Sequence, residues 1–286
     1  MSFFLHVCTL LYILAFSAAS QGDAGGAAGV EALIDDSQRG FIIVGELHGT
    51  QQGPEFMKSL TSSFLDRGIA TATLFEVPGQ FDAVLGEAPS SQAEATRRFC
   101  AEMRSFWEWS RDGRGTTAML EVWSELAVMQ AAGEPVLTVG AHDLTWGVST
   151  ASQPSGYVRS RADAMAERVL SAASRHDVVI VNVGAAHPTR IHTRLLAAPE
   201  YDGRPITRIV QRFSGGEAWN CQRSQCRTHP IPGRYVAQST GPGVQTTTEI
   251  ANYDAFIHLG QATPAPPVRE TSACGELEPY QHLTGD

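Results

Sequence analysis

Short apolar runs, several of them rich in β-branched residues, constrain the fold of this chain more than any other feature. Residues 41–44 read FIIV and residues 178–183 read VVIVNV, and each run is followed directly by glycine. Apolar runs of this length that end at turn-forming residues are typical of buried β-strands. Both runs therefore predict strands inside the protein, the first over 40–46.

Predicted helices lie between most of the predicted strands. Further strands are predicted over 69–77, 136–141, 206–213, 235–237 and 255–259. Helices are predicted over 54–67, 91–110, 116–132 and 158–175 and from about residue 188. Alternation of the two element types indicates an α/β fold, with a mostly parallel central sheet flanked by helices and a cleft at the C-terminal ends of the strands.

Composition and charge limit the number of domains and the partners. The 286 residues, of which 43% are hydrophobic and 18% charged, suffice for one large domain. The net charge is −9 and no run of basic residues exists, which argues against a nucleic-acid partner. The acidic balance indicates little else, and the small-molecule or peptide substrate that we expect rests on the motifs described below.

The N-terminal segment is typical of a secretory signal peptide. Residues 3–16 are almost all apolar, too short a run for a comfortable membrane span, and residues 17–20 (SAAS) suit cleavage. No Lys or Arg precedes the run, so an uncleaved anchor or a misassigned start is the alternative. We predict a signal peptide over 1–20, a flexible leader over 21–37, a domain over 38–262 and an irregular tail over 263–286. The mature protein would be exported, periplasmic or secreted, without a stable membrane span.

Four cysteines remain after the predicted cleavage, which is an even number suited to disulfides. They are Cys100, Cys221, Cys226 and Cys274. Cys221 and Cys226 enclose four polar residues and form the easiest pair, which leaves Cys100 to bind Cys274 and pin the tail. A zinc site made by the four thiols is the less favoured alternative, because the spacing lacks two short knuckles.

Histidines and glutamates follow the predicted strands. Residues 45–48 read GELH, so Glu46 and His48 come at the end of the first strand, and His187 ends the GAAH sequence after the strand at 178–183. Glu76 lies at the end of the strand predicted over 69–77. Adjacent parallel strands place their carboxyl ends together, so these four side chains should converge as an acid–base or metal site. For Glu76 alone, a structural arginine partner is the alternative.

Three further residues are candidates for substrate binding. Arg114 lies in a predicted turn (residues 112–115, DGRG), and Arg161 lies within the helix predicted over 158–175. Arg114 could hold a carboxylate or phosphate of the substrate, or pair with a structural carboxylate. Arg161 could instead be the internal partner of Glu76. His142 follows the strand at 136–141, where a turn or capping role is the alternative.

These motifs together resemble the superfamily of erythromycin esterases, ChaN-type haem-binding proteins and TraB/Tiki proteins. The similarity covers roughly residues 38–260 and rests on residues 45–50 (GELHGT), Glu76, residues 112–114, the helix at Arg161 and residues 184–187. It implies an α/β fold with a cleft at the strand ends. It also implies metal-dependent peptide cleavage in the Tiki type, attack of water on a lactone in the esterases, or haem binding in the ChaN type.

We therefore expect an exported hydrolase for an ester or peptide. In this hypothesis His48, or a divalent metal held by His48, Glu76 and His187, activates water, while Glu46 and Glu76 orient it or take protons. His187 would complete the metal shell or stabilise developing charge. No Gly-x-Ser-x-Gly sequence is present, which disfavours a serine nucleophile. The alternatives are a haem or metal binder with a His or Tyr axial ligand, and an inactive relative.

Overall fold

The structure is a computed structural model of the chain. It describes residues 29–30, 39–110, 112–142, 161–222, 225–237, 243–246, 250 and 252–275, without the side chains of 109, 142 and 246. The predicted signal peptide, nearly all of the leader and the first residues of the helix predicted over 158–175 lie outside the described residues. The elements, contacts and absences given below are those of the described ranges alone.

A seven-stranded sheet forms the centre of the fold, with the strand order β3-β2-β4-β1-β5-β9-β8. All neighbouring pairs are parallel except β8 and β9, which pair antiparallel at one edge. The predicted α/β class with a mostly parallel sheet is confirmed. The strands are β1 (Gly40–Glu46), β2 (Thr71–Pro78), β3 (Val136–His142), β4 (Val178–Gly184), β5 (Ile206–Arg212), β8 (Gly243–Thr246) and β9 (Ala255–His258).

Helices cover both faces of this sheet. Alternate residues of β1 enter two separate cores: Ile42 packs in the larger core with Trp123, and Phe41 packs in the smaller one with Met165. Because successive side chains of a strand point to opposite faces of the sheet, β1 contributes to both cores. In the described ranges, no helix is both long and apolar enough to cross a membrane. The helices are α1 (Gln52–Leu65), α2 (Asp82–Leu85), α3 (Gln92–Glu102), α4 (Arg104–Trp109), α5 (Thr117–Ala131), α6 (Arg161–Ala173) and α7 (Pro188–Ala197).

Two predicted elements differ in the structure. The helix predicted over 91–110 consists of α3 and α4, which meet at Met103 with non-helical backbone. The strand predicted over 235–237 is wrong, because Gly233–Tyr235 forms a 3₁₀ turn and Val236 makes only an isolated bridge to Phe213. A Tyr-Val-Ala sequence favours a strand, but no neighbouring strand continues the pairing.

A small second sheet was missed by the sequence analysis. It contains β6 (Gly215–Gln222), β7 (Gln225–Pro230) and β10 (Gln261–Ala262) in the order β10-β6-β7. The hairpin of β6 and β7 pairs Cys221 with Cys226 across its two strands, and a disulfide joins them. The second predicted disulfide, Cys100–Cys274, is present as well.

The segment 263–268, which we call the strap, ties two loops together. Ala265 N donates to Gly49 O at 2.9 Å, beside the end of β1. Val268 N donates to Gly115 O at 3.0 Å, in the loop before α5. The Cys100–Cys274 disulfide anchors the chain a few residues after the strap. The part of the predicted irregular tail that the structure describes is therefore held against the loops that carry His48 and Arg114.

The two disulfides should contribute unequally to stability. Cys100 and Cys274 are separated by 174 residues and Cys221 and Cys226 by 5, so the first bond restricts the unfolded chain far more. Replacing Cys100 and Cys274 by alanine should lower the free energy of unfolding by about 2–4 kcal/mol. Replacing Cys221 and Cys226 by alanine is the matched control and should cost less. Urea unfolding of both variants measures this, and equal midpoints would contradict it.

Candidate functional site

The site lies where the strand order reverses at the C-terminal edge of the large sheet. From β1 the chain passes to β2 on one side, and from β4 it passes to β5 on the other. Such switch points open a crevice beyond the strand ends in α/β sheets. Glu46 ends β1 opposite Gly184 of β4, and Glu76 lies in β2 where the pairing register with β3 shifts. The sheet topology therefore brings the ends of three strands to one place.

The Glu76 carboxylate is the centre of the site. Its Oε1 atom accepts hydrogen bonds from Arg114 Nη1 and from Arg161 Nη1, each at 3.1 Å. Its Oε2 atom accepts from the backbone N–H of Gly184 at 2.8 Å. The side chain is only 5% exposed, and the two arginines supply the counter-charge that a buried carboxylate requires.

Both candidate histidines face Glu76. His48 Nε2 lies 3.6 Å from Glu76 Oε2, and His187 Nε2 lies 3.6 Å from Glu76 Oε1. On its other side, His48 Nδ1 lies 3.6 Å from Glu46 Oε2. The structure thus brings Glu46, His48, Glu76 and His187 into one cluster, although 141 residues separate Glu46 from His187.

Charge in this cluster favours an ionised Glu76. Burial opposes its charged form, but the nearby His48, Arg114 and His187 outweigh burial and hold the pKa of Glu76 well below its usual value. A carboxylate that is so stabilised, with both oxygens bound by N–H donors, is a poor base. Glu76 therefore orients its neighbours and is unsuited to taking a proton from water.

The same charges favour a protonated His48. Burial alone would lower its pKa, but Glu46 and Glu76 on the two sides of the ring raise the pKa of His48 to about 10. The imidazolium is therefore the resting form at neutral pH, and His48 can donate a proton. His187 differs, because burial is the largest influence there and lowers its pKa despite Glu76.

The sequence analysis missed Asn182, a buried residue of β4. Its Nδ2 atom donates a hydrogen bond to Glu46 Oε2. The signal in the sequence was a single polar residue inside the apolar run VVIVNV, which a parallel strand tolerates only where the polar group has a partner. Asp112 was also not singled out, and its carboxylate binds Arg114 Nε at 3.0 Å and Nη2 at 2.8 Å.

Glycines allow the site segments to approach closely. A Cβ on Gly184 would lie 2.9 Å from His48 Nε2 and 3.4 Å from Glu76 Oε2, inside the space that these groups use. Gly49, directly after His48, has φ +87°, and a Cβ there would overlap the backbone of Trp219. The close packing of the His48 loop on β4 and β6 therefore requires both glycines.

The three predicted substrate-binding residues have different positions. The Arg114 side chain is buried between Asp112 and Glu76. Its contacts therefore match the alternative that Arg114 pairs with a structural carboxylate. Arg161 is the first residue of α6. Its side chain contacts Glu76 and is 41% exposed, which leaves it accessible to a ligand. His142 is the last residue of β3, opposite Pro78, and its side chain lies outside the described residues.

The predicted metal site is not supported by the arrangement of these residues. In the described part of the chain, no three His, Cys, Asp or Glu side chains are placed to hold a metal ion. Glu76 binds two guanidinium groups, and a cation would have to displace them. The Nδ1 atoms of His48 and His187 are both buried, and the Nε2 atoms of both rings face the Glu76 carboxylate.

Comparison with known proteins supports the fold. No protein-family model and no curated protein matches the chain. A crystal structure of a Bacillus cereus protein matches with a TM-score of 0.51 at 8% identity, covering 86% of this chain and 94% of that one. At this identity the likeness shows a common fold alone.

Two further solved structures are more distant. The type III effector HopBA1 has a TM-score of 0.38 at 17% identity, covering 78% of this chain and 88% of that chain. ChaN of Campylobacter jejuni, whose structure concerns cofacial haem binding, has a TM-score of 0.33 at 12% identity, covering 68% of this chain and 88% of that one. Scores this low carry no argument about function.

Removing the charge of Glu76 should destabilise the protein. Glu76→Gln leaves Arg114 buried without its central counter-charge, and breaking a buried ion pair typically costs about 3–5 kcal/mol. Glu125→Gln is a matched control in α5, because Glu125 pairs with Lys58 in a less buried place and should cost less than about 1 kcal/mol. Urea unfolding measures both. A Glu76→Gln protein as stable as the control would show that the carboxylate is not the centre of the site.

The stability of the folded protein should fall on the alkaline side of neutrality. The folded pKa of His48, about 10, exceeds its ordinary value of 6.5, so the folded state binds this proton more tightly. The resulting stabilisation is complete below pH 6.5 and is lost as the pH rises towards 10. The free energy of unfolding should therefore fall more steeply across this range in the parent than in His48→Gln. Parallel curves would contradict the proposed charge state.

Proposed function

We propose that the protein is an exported hydrolase that cleaves an ester or peptide by acid–base catalysis at Glu46 and His48. The observation that carries the proposal is an imidazole held between two buried carboxylates at the crevice of an α/β sheet. The resemblance of the motifs to the erythromycin esterase, ChaN and TraB/Tiki superfamily is consistent with this chemistry.

The reaction needs only substrate and water. Water attacks the carbonyl carbon, the bond to the leaving oxygen or nitrogen breaks, and an acid and an alcohol or amine result. Glu46 accepts the proton that water gives up, and His48 as imidazolium donates a proton to the leaving group. The proton that Glu46 receives returns to His48 across the short separation of the two side chains, which restores the resting site.

The neighbouring residues have supporting roles in this proposal. Arg161 and His187 face the carbonyl oxygen and stabilise the negative charge that develops on it. Glu76 fixes the positions of both, and Arg114 holds Glu76 by a buried hydrogen bond. His142 remains a proposed substrate contact, because β3 ends at the same edge of the sheet.

The main alternative to this mechanism is that of a serine hydrolase. Ser214 is exposed, and its Oγ lies 3.0 Å from His258 Nε2 at the ends of β5 and β9. The second ring nitrogen of His258 is buried and has no hydrogen-bond partner among the described residues. A serine triad needs an acid at that position to orient the base. Ser214 is therefore a suitable control residue for the function of the Glu46–His48 site.

Export and a cleaved signal peptide belong to the same proposal. The two disulfides are compatible with an oxidising compartment, where such bonds persist. A small molecule or a peptide outside the cytoplasm is accordingly the proposed substrate.

A substrate panel with site variants tests the function. Purified protein should hydrolyse at least one ester, lactone or peptide in the presence of EDTA, and His48→Ala or Glu46→Gln should lower kcat/KM by about 10²–10⁴-fold. Gly184→Ala should also lose activity, since its Cβ would crowd His48. Gly233→Ala, where a Cβ meets nothing within 4 Å, and Ser214→Ala should retain it.

The same preparation decides between hydrolysis and the alternatives. Activity lost in EDTA and restored by a divalent metal would overturn the metal-free mechanism. A Soret band that appears on titration with haem and disappears in the His48 or His187 variants, without hydrolysis of any substrate, would replace the proposal with haem binding.

A further inference from the structure

Asn182 is a polar residue in the interior of the sheet. Its side chain is 1% exposed, and its strand neighbours in β4 are apolar. In the sheet register it lies opposite Val44 of β1 and Phe75 of β2, so it sits between the two strands that carry Glu46 and Glu76. Burying an amide costs free energy unless its polar atoms find partners, and packing alone would be better served by an apolar residue.

The amide orientation follows from the chemistry of its partner. A carboxylate only accepts hydrogen bonds, so the Nδ2 group of Asn182 must be the atom that faces Glu46 Oε2. The same Oε2 atom lies 3.6 Å from His48 Nδ1. Asn182, Glu46 and His48 thus lie in a row, in which the amide donates a hydrogen bond to the carboxylate and the charge of the carboxylate lies beside the ring, whose Nδ1 atom has no hydrogen-bond partner among the described residues.

Two buried hydrogen-bond acceptors lie beside this row of side chains. Glu46 Oε1 and Asn182 Oδ1 have no hydrogen-bond partner among the described residues. Both residues line a cavity of about 10 Å³, together with His48 and Arg114. A cavity of this size is close to the minimum for one water molecule. Water carries two O–H donors, which matches the two acceptors.

We propose that Asn182 is the positioning residue of this site, orienting His48 through Glu46 and binding one buried water molecule together with Glu46 Oε1. The proposal deepens the proposed function and rests on it where turnover is the readout. Asn182 is buried and is 1% exposed, so we expect it to act on the rate of the chemical step and to leave substrate binding unchanged. The water would donate to Glu46 Oε1, so that the carboxylate keeps a fixed orientation and its charge stays beside the His48 ring.

Variants of Asn182 test this role. Asn182→Leu has a similar volume without polar atoms, and Asn182→Ala is the second variant in case the leucine does not fit. Thr73→Val is the matched control, because Thr73 is also fully buried in the sheet and makes one buried hydrogen bond, to Thr61 at 2.9 Å, away from the site. We expect both Asn182 variants to lower kcat by about 10- to 100-fold, equivalent to about 1.4–2.8 kcal/mol, with KM within about twofold of the parent. Thr73→Val should retain the parental kcat.

Two measurements do not depend on turnover. The ring resonances of His48 in NMR spectra should shift in both Asn182 variants and stay unchanged in Thr73→Val. A crystal structure of the full chain should show one water within hydrogen-bonding distance of Glu46 Oε1 and Asn182 Oδ1.

The outcomes separate this inference from the proposed function. If the parent hydrolyses nothing, the proposed function fails, and the His48 resonances and the water still decide the role of Asn182. Parental kcat and unchanged His48 resonances in whichever Asn182 variant folds would overturn the inference, as would a crystal structure without that water. A loss of kcat equal to that of Thr73→Val would assign Asn182 a purely structural role, and this too would overturn it.

Discussion

The arrangement of the site depends on one buried carboxylate, that of Glu76. Five nitrogen groups surround it, and they come from four separate segments of the chain. A negative charge in the interior is tolerable only when such partners surround it, so each segment is held in place by the same requirement. The groups are His48 after β1, Arg114 before α5, Arg161 at the start of α6, and Gly184 N–H and His187 at and just after the end of β4.

The two glutamates of the site have different surroundings, although their side chains are chemically identical. Glu76 has both oxygens bound by N–H groups and serves as a fixed counter-charge. Glu46 has one oxygen bound by Asn182, and its other oxygen has no hydrogen-bond partner among the described residues. The surroundings of the two carboxylates, and not their residue type, therefore separate the counter-charge from the residue to which we assign proton transfer in the proposed reaction.

Strand positions and the fold class followed from local sequence, whereas the partners at the site did not. The apolar runs at 41–44 and 178–183 predict buried strands because their pattern is local. The polar hairpin of β6 and β7 has no such pattern and depends on its disulfide and on contacts with the His48 loop. The convergence of strand ends predicts a shared site for Glu76, and the alternative of Arg161 as its internal partner agrees with the structure. The choice between metal ligand and arginine partner could not be made from the sequence, because the two arginines lie 38 and 85 residues away and no local pattern fixes their positions.

The strap has a consequence for the order in which the molecule can be completed. The His48 loop belongs to the first fifth of the chain, yet its backbone is bound by Ala265, and the loop of Arg114 is bound by Val268. A ribosome delivers the N-terminal segments first, so a nascent chain carries every residue of the cluster before it carries the segment that ties the two loops together. The contacts that tie the loops of His48 and Arg114 together can therefore form only after residue 268 has been synthesised.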